Sequence, residues 1–368
     1  MLIGVPTEVK NNEYRVAITP LGVHELVRAG HRVMVQSGAG IGSCITDDDY
    51  ADVGAYIAPT AADVWAQADM ILKVKEPTPA EYDLMREGQV LFTYLHLAAS
   101  EELTRELLAR KVTSIAYETV QTDNGVLPLL APMSEVAGRL SAQIAAHLML
   151  KVGGGRGILM GGVPGTRTAN IAILGGGTVG FHAARIASAM GADVTVYDVD
   201  FRRMAYIDDV TSGRIHTEYS TELSVARGLK NADAVIGSVL IPGARTPRLV
   251  TNEMVADMRP GSVLVDVAID QGGCFEASRP TTHDDPTFEF EDCLFYCVAN
   301  MPGTVPYTST YALTNATMRY VLHIADAGWQ QAMHDLPDLA RGLSTFDGKL
   351  YERGVAEAFG LELATFGN

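Results

Sequence analysis

Residues 170–198 read NIAILGGGTVGFHAARIASAMGADVTVYD, and they carry the strongest structural signal in the chain. A strand-like apolar run leads directly into GGGTVG (175–180), and a helical pattern follows. In such a turn Gly175 permits the tight bend, Gly177 lets the backbone approach a pyrophosphate, and Gly180 lets the helix pack closely on the strand. The N-terminus of the helix adds N–H groups and partial positive charge that attract phosphates. The order of strand, glycine turn and helix therefore predicts a dinucleotide-binding domain. Its predicted cofactor contacts include Gly175, Gly177, Thr178, Val179 and Gly180.

The acid that ends the next strand indicates which dinucleotide is bound. Asp198 closes DVTVYD (193–198), where a carboxylate can bind the hydroxyl groups of the adenosine ribose. Asp198 and the nearby Asp200 would repel a 2′-phosphate, so we expect NAD rather than NADP. Arg202 and Arg203 follow closely and leave the strictness of that preference open.

Short strand-like runs alternate with helical patterns on both sides of this stretch. Such alternation predicts parallel sheets covered by helices on both faces. In the first third the predicted strands are LIGVP (2–6), RVMVQ (32–36), MILKVK (70–75), QVLFTYL (89–95) and TSIAYE (113–118). The second series comprises NIAIL (170–174), DVTVYD (193–198), RIHTEY (214–219), AVIGSVL (234–240), SVLVDVAI (262–269) and LFYCVA (294–299). Thr19 and Ser100 are predicted to cap two of the helices between the first strands.

We therefore predict an α/β protein with two Rossmann-like, doubly wound parallel-sheet domains and a cleft between them. The helical stretch SEVAGRLSAQIAAHLML (134–150) has the length to bridge the two domains. After residue 306 the pattern is helical to the end, and we expect these tail helices to pack on the first domain. The predicted NAD-binding domain covers 131–304 and is inserted into a discontinuous substrate domain of 1–130 and 305–368.

Composition narrows the classes of function. The 368 residues carry a formal net charge of −16, which disfavours binding to nucleic acid or to an anionic membrane. No apolar run approaches the roughly 18 residues of a membrane helix. No cysteine or histidine spacing indicates a metal site. The four cysteines form no C-x-x-C pair, so we expect reduced thiols in a cytoplasmic protein.

Five polar side chains follow predicted strands, at the edge where open α/β sheets bind ligands. They are Arg15, Lys75, His96, Glu118 and Asp270. A cleft between the two domains would collect them, and they supply a guanidinium, an ammonium, an imidazole and two carboxylates. Each signal alone is weak, but beside a nicotinamide-type site the set indicates an active site.

The two cationic residues have structural alternatives that the sequence leaves open. Arg15 lies in KNNEYR, where it can be an ordinary surface arginine paired with Glu13. Lys75 lies in K-V-K, so Lys73 shares its face of the strand, and either lysine can be a solvated strand end.

The imidazole and the carboxylates also have alternatives. In VLFTYLHLAAS (90–100), His96 is as compatible with a packed core histidine as with a catalytic one. Asp270 can cap the turn that follows it, and Asp266 is a rival within the same predicted strand. We assign Glu118 a structural role.

Longer stretches of the chain resemble a known family. The bacterial alanine dehydrogenases, of the alanine dehydrogenase and pyridine nucleotide transhydrogenase superfamily, have stretches similar to GVPTEVKNNEYRVAITP, ILKVKEP, LFTYLHLAAS, AYETVQ, PLLAPMSEVAGR, GGVPG, VLVDVAIDQGGCFE and FYCVANMPGTVPYTSTYALTNAT. These stretches span residues 4–317 and are far more specific than the glycine motif. The resemblance implies a homohexamer that reversibly converts L-alanine to pyruvate and ammonia with formation of NADH.

The resemblance also implies roles for individual residues. Arg15 and Lys75 would bind the substrate, and His96 and Asp270 would be the catalytic residues. The residues at positions that line the NAD site are Ser134, Asp198, Arg203, Ser220, Val239, Leu240, Val267, Ile269, Asp270, Arg279, Val298, Asn300 and Met301. The position of Arg203 is commonly lysine in the family, which leaves its contact in this chain open.

These roles give a mechanism as a hypothesis. The planar fork of Arg15 would hold the substrate carboxylate, and Lys75 would add a positive charge nearby. Hydride leaves Cα for the nicotinamide, water adds to the imine, and the carbinolamine collapses to pyruvate and ammonia. His96 would transfer protons in the later steps, because an imidazole titrates near neutral pH. Asp270 would aid that transfer and stabilise the cationic amine or imine.

Two other functions are compatible with the fold. The NAD-binding subunit of a proton-translocating transhydrogenase shares it, but that branch does not retain HLAAS together with Lys75 and Arg15. A non-catalytic NAD sensor would need no His–Asp pair and would turn over no amino acid.

Overall fold

The computed structural model describes residues 1–239 and 246–366, and the chain divides into two units. The first unit comprises Met1–Met133 and Gly303–Asn368, and the second comprises Ser134–Pro302. Each unit is built on one mainly parallel sheet, so the predicted α/β class is confirmed.

The secondary-structure elements are numbered in chain order. The strands are β1 (Leu2–Val5), β2 (Arg32–Gln36), β3 (Tyr56–Ala58), β4 (Met70–Leu72), β5 (Val90–Thr93), β6 (Thr113–Ala116), β7 (Asn170–Leu174), β8 (Asp193–Asp198), β9 (His216–Tyr219), β10 (Ala234–Gly237), β11 (Val263–Asp266), β12 (Thr287–Phe290), β13 (Cys293–Tyr296), β14 (Leu343–Phe346) and β15 (Lys349–Leu350). The helices are α1 (Pro20–Arg28), α2 (Asp47–Ala51), α3 (Ala61–Gln67), α4 (Pro79–Tyr82), α5 (Glu101–Ala109), α6 (Ala131–Leu148), α7 (Thr178–Ala189), α8 (Phe201–Thr211), α9 (Glu222–Leu229), α10 (Asn252–Ala256), α11 (Pro306–Ala327), α12 (Trp329–Asp335), α13 (Pro337–Ala340) and α14 (Arg353–Phe359). Short 3₁₀ turns cover Ile41–Ser43, Leu97–Ala99, Tyr117–Thr119, Lys151–Gly153, Ile269–Gln271 and Met301–Thr304.

The sheet of the first unit has the strand order β15-β14-β6-β5-β4-β1-β2-β3. Strands β1 to β6 pair in parallel, whereas β14 is antiparallel to β6 and β15 is antiparallel to β14. The chain starts at β1, builds outward through β2 and β3, and then returns to the other side of β1 with β4. In open α/β sheets ligands bind beside such a reversal, which here lies at the carboxyl ends of β1 and β4.

The sheet of the second unit has the order β12-β13-β11-β10-β7-β8-β9. All its pairs are parallel except that of β12 with β13. Here the chain reverses between β7 and β10, which is the point at which open α/β sheets of this order bind dinucleotides. The glycine turn directly follows β7.

Capping residues fix where two helices of the first unit begin, and both predicted caps are confirmed. The Thr19 side chain accepts from the amide of Gly22, and Pro20 occupies the first turn of α1. The Ser100 side chain accepts from the amide of Leu103 at the start of α5.

The prediction of a wholly helical tail is wrong. Residues 343–350 form β14 and β15, which extend the first sheet beside β6. Asp347 and Gly348 join the two strands, and both have positive φ, 48° and 72°. Asp-Gly favours this conformation in two-residue hairpin turns. The tail therefore completes the first sheet.

Several strands are shorter than predicted, and two strands were not predicted outside the tail. β4 ends at Leu72 and β5 ends at Thr93, whereas the predicted runs continued to Lys75 and Leu95. Strand β3 has only three residues, and β12 (TFEF) alternates polar and apolar residues over only four, so both were missed. Because β4 and β5 end early, the polar residues that follow them lie in loops.

Apolar residues from the faces of the sheets and from the covering helices form the cores. In the first unit a cluster includes Trp65, Leu91 and Leu107. The second unit has two clusters, one that includes Ile173 and one that includes Phe295. Within the part of the chain that is described, no helix has both the length and the apolar character needed to span a bilayer.

Candidate active site

Four of the predicted site residues lie in the first unit, after neighbouring strands. Arg15 follows β1, Lys75 follows β4, His96 follows β5, and Glu118 follows β6. Since these four strands are adjacent and parallel, the structure brings the four side chains to one edge of the sheet. This is the edge at which ligands bind in such sheets.

Arg15 is a buried residue, not the surface arginine that the sequence allowed. It is 3% exposed. Its Nε and Nη2 donate to Oε1 and Oε2 of Glu13 at 2.7 and 2.5 Å, and its Nη1 lies 3.1 Å from Sδ of Met133. Burial alone would lower the pKa of Arg15, but the hydrogen bonds and charge of Glu13 raise it. Arg15 is therefore a fixed cation with one edge held by Glu13.

The two lysines of K-V-K have different environments. Lys73 is fully buried, with its Nζ 3.2 Å from Glu8 Oε2 and 2.9 Å from Glu81 Oε1. Burial would lower the pKa of Lys73, but these two carboxylates raise it. Lys75 is partly exposed and lies past the strand. Lys73 is thus a structural ion-pair partner, and Lys75 is the one that can meet a ligand.

Glu8 connects the two lysines. Its carboxylate accepts from the amides of Val74 at 2.6 Å and of Lys75 at 3.4 Å, besides its ion pair with Lys73. Burial raises the pKa of Glu8, and the charge of Lys73 opposes that rise. The backbone that carries Lys75 is therefore positioned by a buried carboxylate from the loop after β1.

His96 is a surface residue on a strained backbone, not a packed core histidine. Its φ and ψ are 48° and 40°, the left-handed conformation, and its side chain is 44% exposed. The Glu118 carboxylate accepts from the amides of Leu95 at 3.1 Å and His96 at 2.5 Å, and its Oε1 lies 3.8 Å from Nδ1 of His96. The imidazole stacks on Tyr94 with ring centroids 6.0 Å apart. Strained conformations of this kind concentrate at functional sites.

In the second unit, the glycine turn has the shape that a pyrophosphate requires. Gly175 has a φ of 93°, and a Cβ on Gly180 would lie 1.8 Å from the carbonyl oxygen of Gly175. A Cβ on Gly177 would meet no atom within 4 Å, so the space above this residue is open to a ligand. The Ser238 hydroxyl bonds the carbonyl oxygens of Leu174 and Gly175 and braces the turn from the end of β10. These residues fit a dinucleotide.

Asp198 and Arg203 both contact this turn. Asp198 accepts from the amide of Gly176 at 2.5 Å and from that of Asp200 at 2.8 Å. Arg203 donates to the carbonyl oxygens of Gly176 and Gly177, and its guanidinium lies 5.0 Å from the centroid of the Phe181 ring. Burial lowers the pKa of Arg203. Arg203 thus lies against the glycine turn, near Asp198.

Asp270 and the alternative candidate Asp266 have different environments. Asp266 is fully buried and accepts from the amides of Ala268 at 3.1 Å and Cys274 at 2.8 Å, as well as from the Ser278 hydroxyl. Asp270 lies past β11, in the 3₁₀ turn Ile269–Gln271, and is exposed. Asp266 therefore holds the loop after β11 in place, and Asp270 is the carboxylate that can reach a ligand.

The other residues predicted to line the NAD site belong to the second unit. Ser220 follows β9, and its amide donates to the carbonyl oxygen of Asp198 at 2.9 Å. Val239 packs beside Gly175, and Arg279 lies 4.4 Å from the ring centroid of Phe288. Ser134 is on α6, Val267 and Ile269 follow β11, and Val298, Asn300 and Met301 follow β13. Leu240 lies outside the described residues.

Sequence reasoning missed Glu8, and it considered Glu13 only as the partner of a surface Arg15. Both acids lie with Arg15 in the loop after β1, where no spacing rule distinguishes a buried carboxylate from a solvated one. Glu118 was selected by its place after a strand and was assigned a structural role, and its contact with His96 required the structure. Ser238 had a usable signal, because it follows a strand beside the reversal point.

Two family models match the chain. Residues 4–137 match the N-terminal domain of alanine dehydrogenase/PNT, and residues 141–353 match its C-terminal domain. Together these models cover most of the sequence.

Individual proteins are similar over nearly the whole length. An alanine dehydrogenase of Mycolicibacterium smegmatis is 61% identical over 97% of this chain and 96% of its own. An alanine dehydrogenase of Mycobacterium tuberculosis (strain CDC 1551 / Oshkosh) is 60% identical over 98% of this chain and 97% of its own. An alanine dehydrogenase of Methanococcus maripaludis is 54% identical over 98% of this chain and 97% of its own.

Solved structures show the same likeness. One named L-alanine dehydrogenase superposes with a TM-score of 0.95 at 47% identity, over 98% of this chain and 99% of that chain. A transhydrogenase from Sinorhizobium meliloti superposes with a TM-score of 0.81 at 26% identity, over 96% of this chain and 99% of that chain.

Proposed function

This chain belongs to the alanine dehydrogenase/PNT family, and on that premise we propose how its own residues carry out the reaction. The activity is NAD-dependent oxidation of L-alanine to pyruvate and ammonia. The observation that supports the assignment most strongly is that Arg15, Lys75 and His96 follow three adjacent strands beside the reversal of the first sheet. A small amino acid offers mainly a carboxylate and an amine, so charged contacts must position it.

Arg15 and Lys75 bind the substrate carboxylate in this proposal. Glu13 accepts hydrogen bonds from Nε and Nη2 of Arg15. The substrate carboxylate therefore binds on the Nη1 side of the guanidinium, where Met133 lies. Lys75 adds a second positive charge from the neighbouring loop, on a backbone that Glu8 holds. Two cations in a partly buried setting bind a carboxylate more strongly than either does in water.

NAD binds the second unit in this proposal. The chemistry that bound NAD would supply is the acceptance of a hydride from Cα of alanine. Gly177 leaves room for the pyrophosphate, and the N-terminus of α7 points N–H groups toward it. Asp198 binds the adenosine ribose hydroxyls. The amide of Gly176 donates a hydrogen bond to its carboxylate and so fixes its orientation.

His96 and Asp270 move the protons. His96 takes a proton from the water that adds to the imine carbon and returns one to the departing ammonia. Its imidazole is exposed, and Oε1 of Glu118 lies 3.8 Å from Nδ1, on one side of the ring. Asp270, an exposed carboxylate past β11, stabilises the positive charge on the substrate nitrogen.

We also propose a substrate domain in the first unit, an NAD-binding domain in the second, and a homohexamer in the cytoplasm. Exposed apolar side chains on residues 150–163, Val152 above all at 89%, support self-association. Four free cysteines support a reducing compartment. Native mass spectrometry tests the hexamer, because a hexamer has six times the mass of the single chain.

Transhydrogenation, the rival activity, has less support. The transhydrogenase structure is 26% identical to this chain, whereas the alanine dehydrogenases are up to 61% identical. A subunit that passes hydride to a partner protein also has no need of a carboxylate-binding pair such as Arg15 and Lys75.

The test is NADH formation by the purified protein with L-alanine, glycine, L-serine and L-leucine, each with NAD. We expect the highest kcat/KM with alanine. Glycine is expected to follow, because a pocket for one methyl group rejects a smaller homologue by only about 1–3 kcal/mol. Turnover of leucine without turnover of alanine, or no turnover at all, would contradict the assignment.

A further inference from the structure

The second unit has a groove between α7 and α8 to which the reaction gives no role. Its volume is about 380 Å³, and it is lined by residues of α7, of α8 and of the segment that leads into β9. Cavities that hold small molecules have volumes of about 300–1,000 Å³. The groove therefore has room for a small ligand.

The lining of the groove is largely aromatic and apolar. The rings of Phe181 and Tyr206 lie with their centroids 5.5 Å apart and their planes tilted by 58°. Phe181 and Ile215 are buried, whereas Tyr206 is 46% exposed and Val210 is 50% exposed. A ligand with a planar apolar body that covers these side chains removes their exposed apolar surface from water. The shape and the lining thus favour an aromatic ring.

Two guanidinium groups lie at the same groove. Arg185 is exposed on α7, and its Cζ lies 5.6 Å from the centroid of the Phe181 ring. Arg214 is exposed before β9, and its Nε donates to the carbonyl oxygen of Thr211 at 3.2 Å. Within residues 1–239 and 246–366, neither guanidinium forms an ion pair with a carboxylate. Both charges are therefore open to an anion.

The groove is a locally positive site on an acidic protein. The chain has 44 acidic and 28 basic residues, and exposed arginines such as Arg105, which bonds Glu101 at 2.6 Å, have carboxylate partners. Asp208 and Asp209, the exposed acids of α8, lie outside the described lining of the groove. Two neighbouring guanidinium groups match a phosphate group, which carries a charge of about −1.5 to −2 at neutral pH.

The groove is separate from the predicted dinucleotide site. Its described lining includes no residue of the glycine turn at 175–180 and does not include Asp198. Arg203 lies between the two, with its guanidinium 5.0 Å from the centroid of Phe181 and 4.9 Å from that of Tyr206. The same guanidinium donates to backbone carbonyl oxygens of the glycine turn. A ligand in the groove and a dinucleotide on the turn therefore contact different residues.

We propose that this groove binds an aromatic phosphate, at a site distinct from those of alanine and NAD. The ring packs on Phe181 and Tyr206, and the phosphate group meets Arg185 and Arg214. An anion without a ring, or a ring without a charge, makes only part of these contacts. The inference does not rest on the proposed reaction, because none of these residues belongs to the substrate site.

Isothermal titration calorimetry of the purified protein with 1-naphthyl phosphate tests the site. Saturating NADH is present, so that the probe does not occupy the glycine turn. We expect one molecule to bind per chain with a Kd below about 1 mM. We expect 1-naphthol, which has the ring without the charge, and inorganic phosphate, which has the charge without the ring, each to bind at least about tenfold more weakly.

Three variants locate the binding. Arg185→Gln and Arg214→Gln each remove one guanidinium from the groove, and each is expected to weaken binding by about five- to tenfold, because a charge-assisted hydrogen bond is lost at an exposed site. Val210→Glu places a carboxylate at the exposed edge of the groove and is expected to abolish binding. Arg227→Gln removes an exposed arginine of the same unit outside the groove and is the matched control.

The inference is overturned if the parent protein shows no saturable binding of 1-naphthyl phosphate, whether or not it oxidises alanine. Unchanged binding in both Arg185→Gln and Arg214→Gln also overturns it, as does an equal loss in Arg227→Gln, because the probe would then bind elsewhere or respond only to net charge. An equal affinity for 1-naphthol or for inorganic phosphate contradicts the proposed chemistry of the ligand. Should the arginine variants fail to fold, Val210→Glu decides, and unchanged binding there has the same meaning.

Discussion

Glu13 holds Arg15 by two hydrogen bonds, from Nε to Oε1 at 2.7 Å and from Nη2 to Oε2 at 2.5 Å, with both side chains buried. The pair is local in sequence, yet it fixes the direction in which the guanidinium can meet a ligand. In the proposed mechanism, Glu13 therefore acts on substrate binding through its contact with Arg15.

We expect Glu13→Gln and Arg15→Lys each to raise the KM for alanine about tenfold or more and to leave the KM for NAD unchanged. Either change breaks the two-point pair that aims the cation, and lysine lacks the planar fork. Steady-state kinetics with each substrate varied in turn measure both constants. The control is Glu25→Gln, which breaks an exposed Glu–Arg pair. An unchanged alanine KM in Arg15→Lys would remove Arg15 from the substrate site.

The two lysines of K-V-K are expected to respond oppositely to replacement by methionine. Lys73→Met leaves Glu8 and Glu81 buried without their cation, so the free energy of unfolding falls by about 3–5 kcal/mol. Lys75→Met leaves thermal stability close to that of the parent and lowers kcat/KM for alanine by about 10- to 100-fold. Thermal unfolding and the NADH assay on both variants measure this, and the reverse pattern would exchange the two assignments.

Asp198→Ala is expected to raise the kcat/KM ratio of NADP to NAD by about 100-fold. The change removes both the acceptor for the ribose hydroxyls and the charge that repels a 2′-phosphate, while Arg203 remains nearby. Asp193→Ala, at the opposite end of β8, is the matched control. An unchanged ratio would mean that Asp198 does not select the cofactor.

Glu352→Gln is expected to stabilise the protein at pH 8 and to have little effect at pH 5. The pKa of Glu352 is raised to about 7 in the folded state from an ordinary value of 4.5. The folded protein therefore binds more protons than the unfolded chain in this window, and stability falls as pH rises through it. The gain at pH 8 is on the order of 1–2 kcal/mol, reduced for partial exposure. Thermal unfolding of both proteins at pH 5 and pH 8 measures the gain in stability. An equal gain at the two pH values would contradict the raised pKa of Glu352.

Much of the fold is predictable from the sequence because its strongest signals are local. The glycine turn at 175–180 and the acid at Asp198 need only neighbouring residues to be interpreted. The rule that ligands lie at the carboxyl ends of parallel strands also selects Arg15, Lys75, His96 and Asp270 before any family is considered.

The rest depends on contacts between distant residues. Lys73 and Lys75 are alike in sequence, and only the approach of Glu8 and Glu81 separates them. The hairpin of β12 and β13 turns at Glu291 and Asp292, both with positive φ, and carries no glycine to mark it. The tail hairpin did carry a signal in Asp347-Gly348. Its pairing with β6, which places Leu343 opposite Ile115, has no counterpart in local sequence.

The proposed acid–base role of His96 is tested by His96→Ala in the NADH assay with saturating alanine and NAD. An acid–base group contributes on the order of 10²–10⁴ in rate, so we predict a loss of turnover of at least about 100-fold, with NAD binding unchanged by fluorescence titration. Turnover within about tenfold of the parent would contradict the assignment of His96 as the residue that moves the protons.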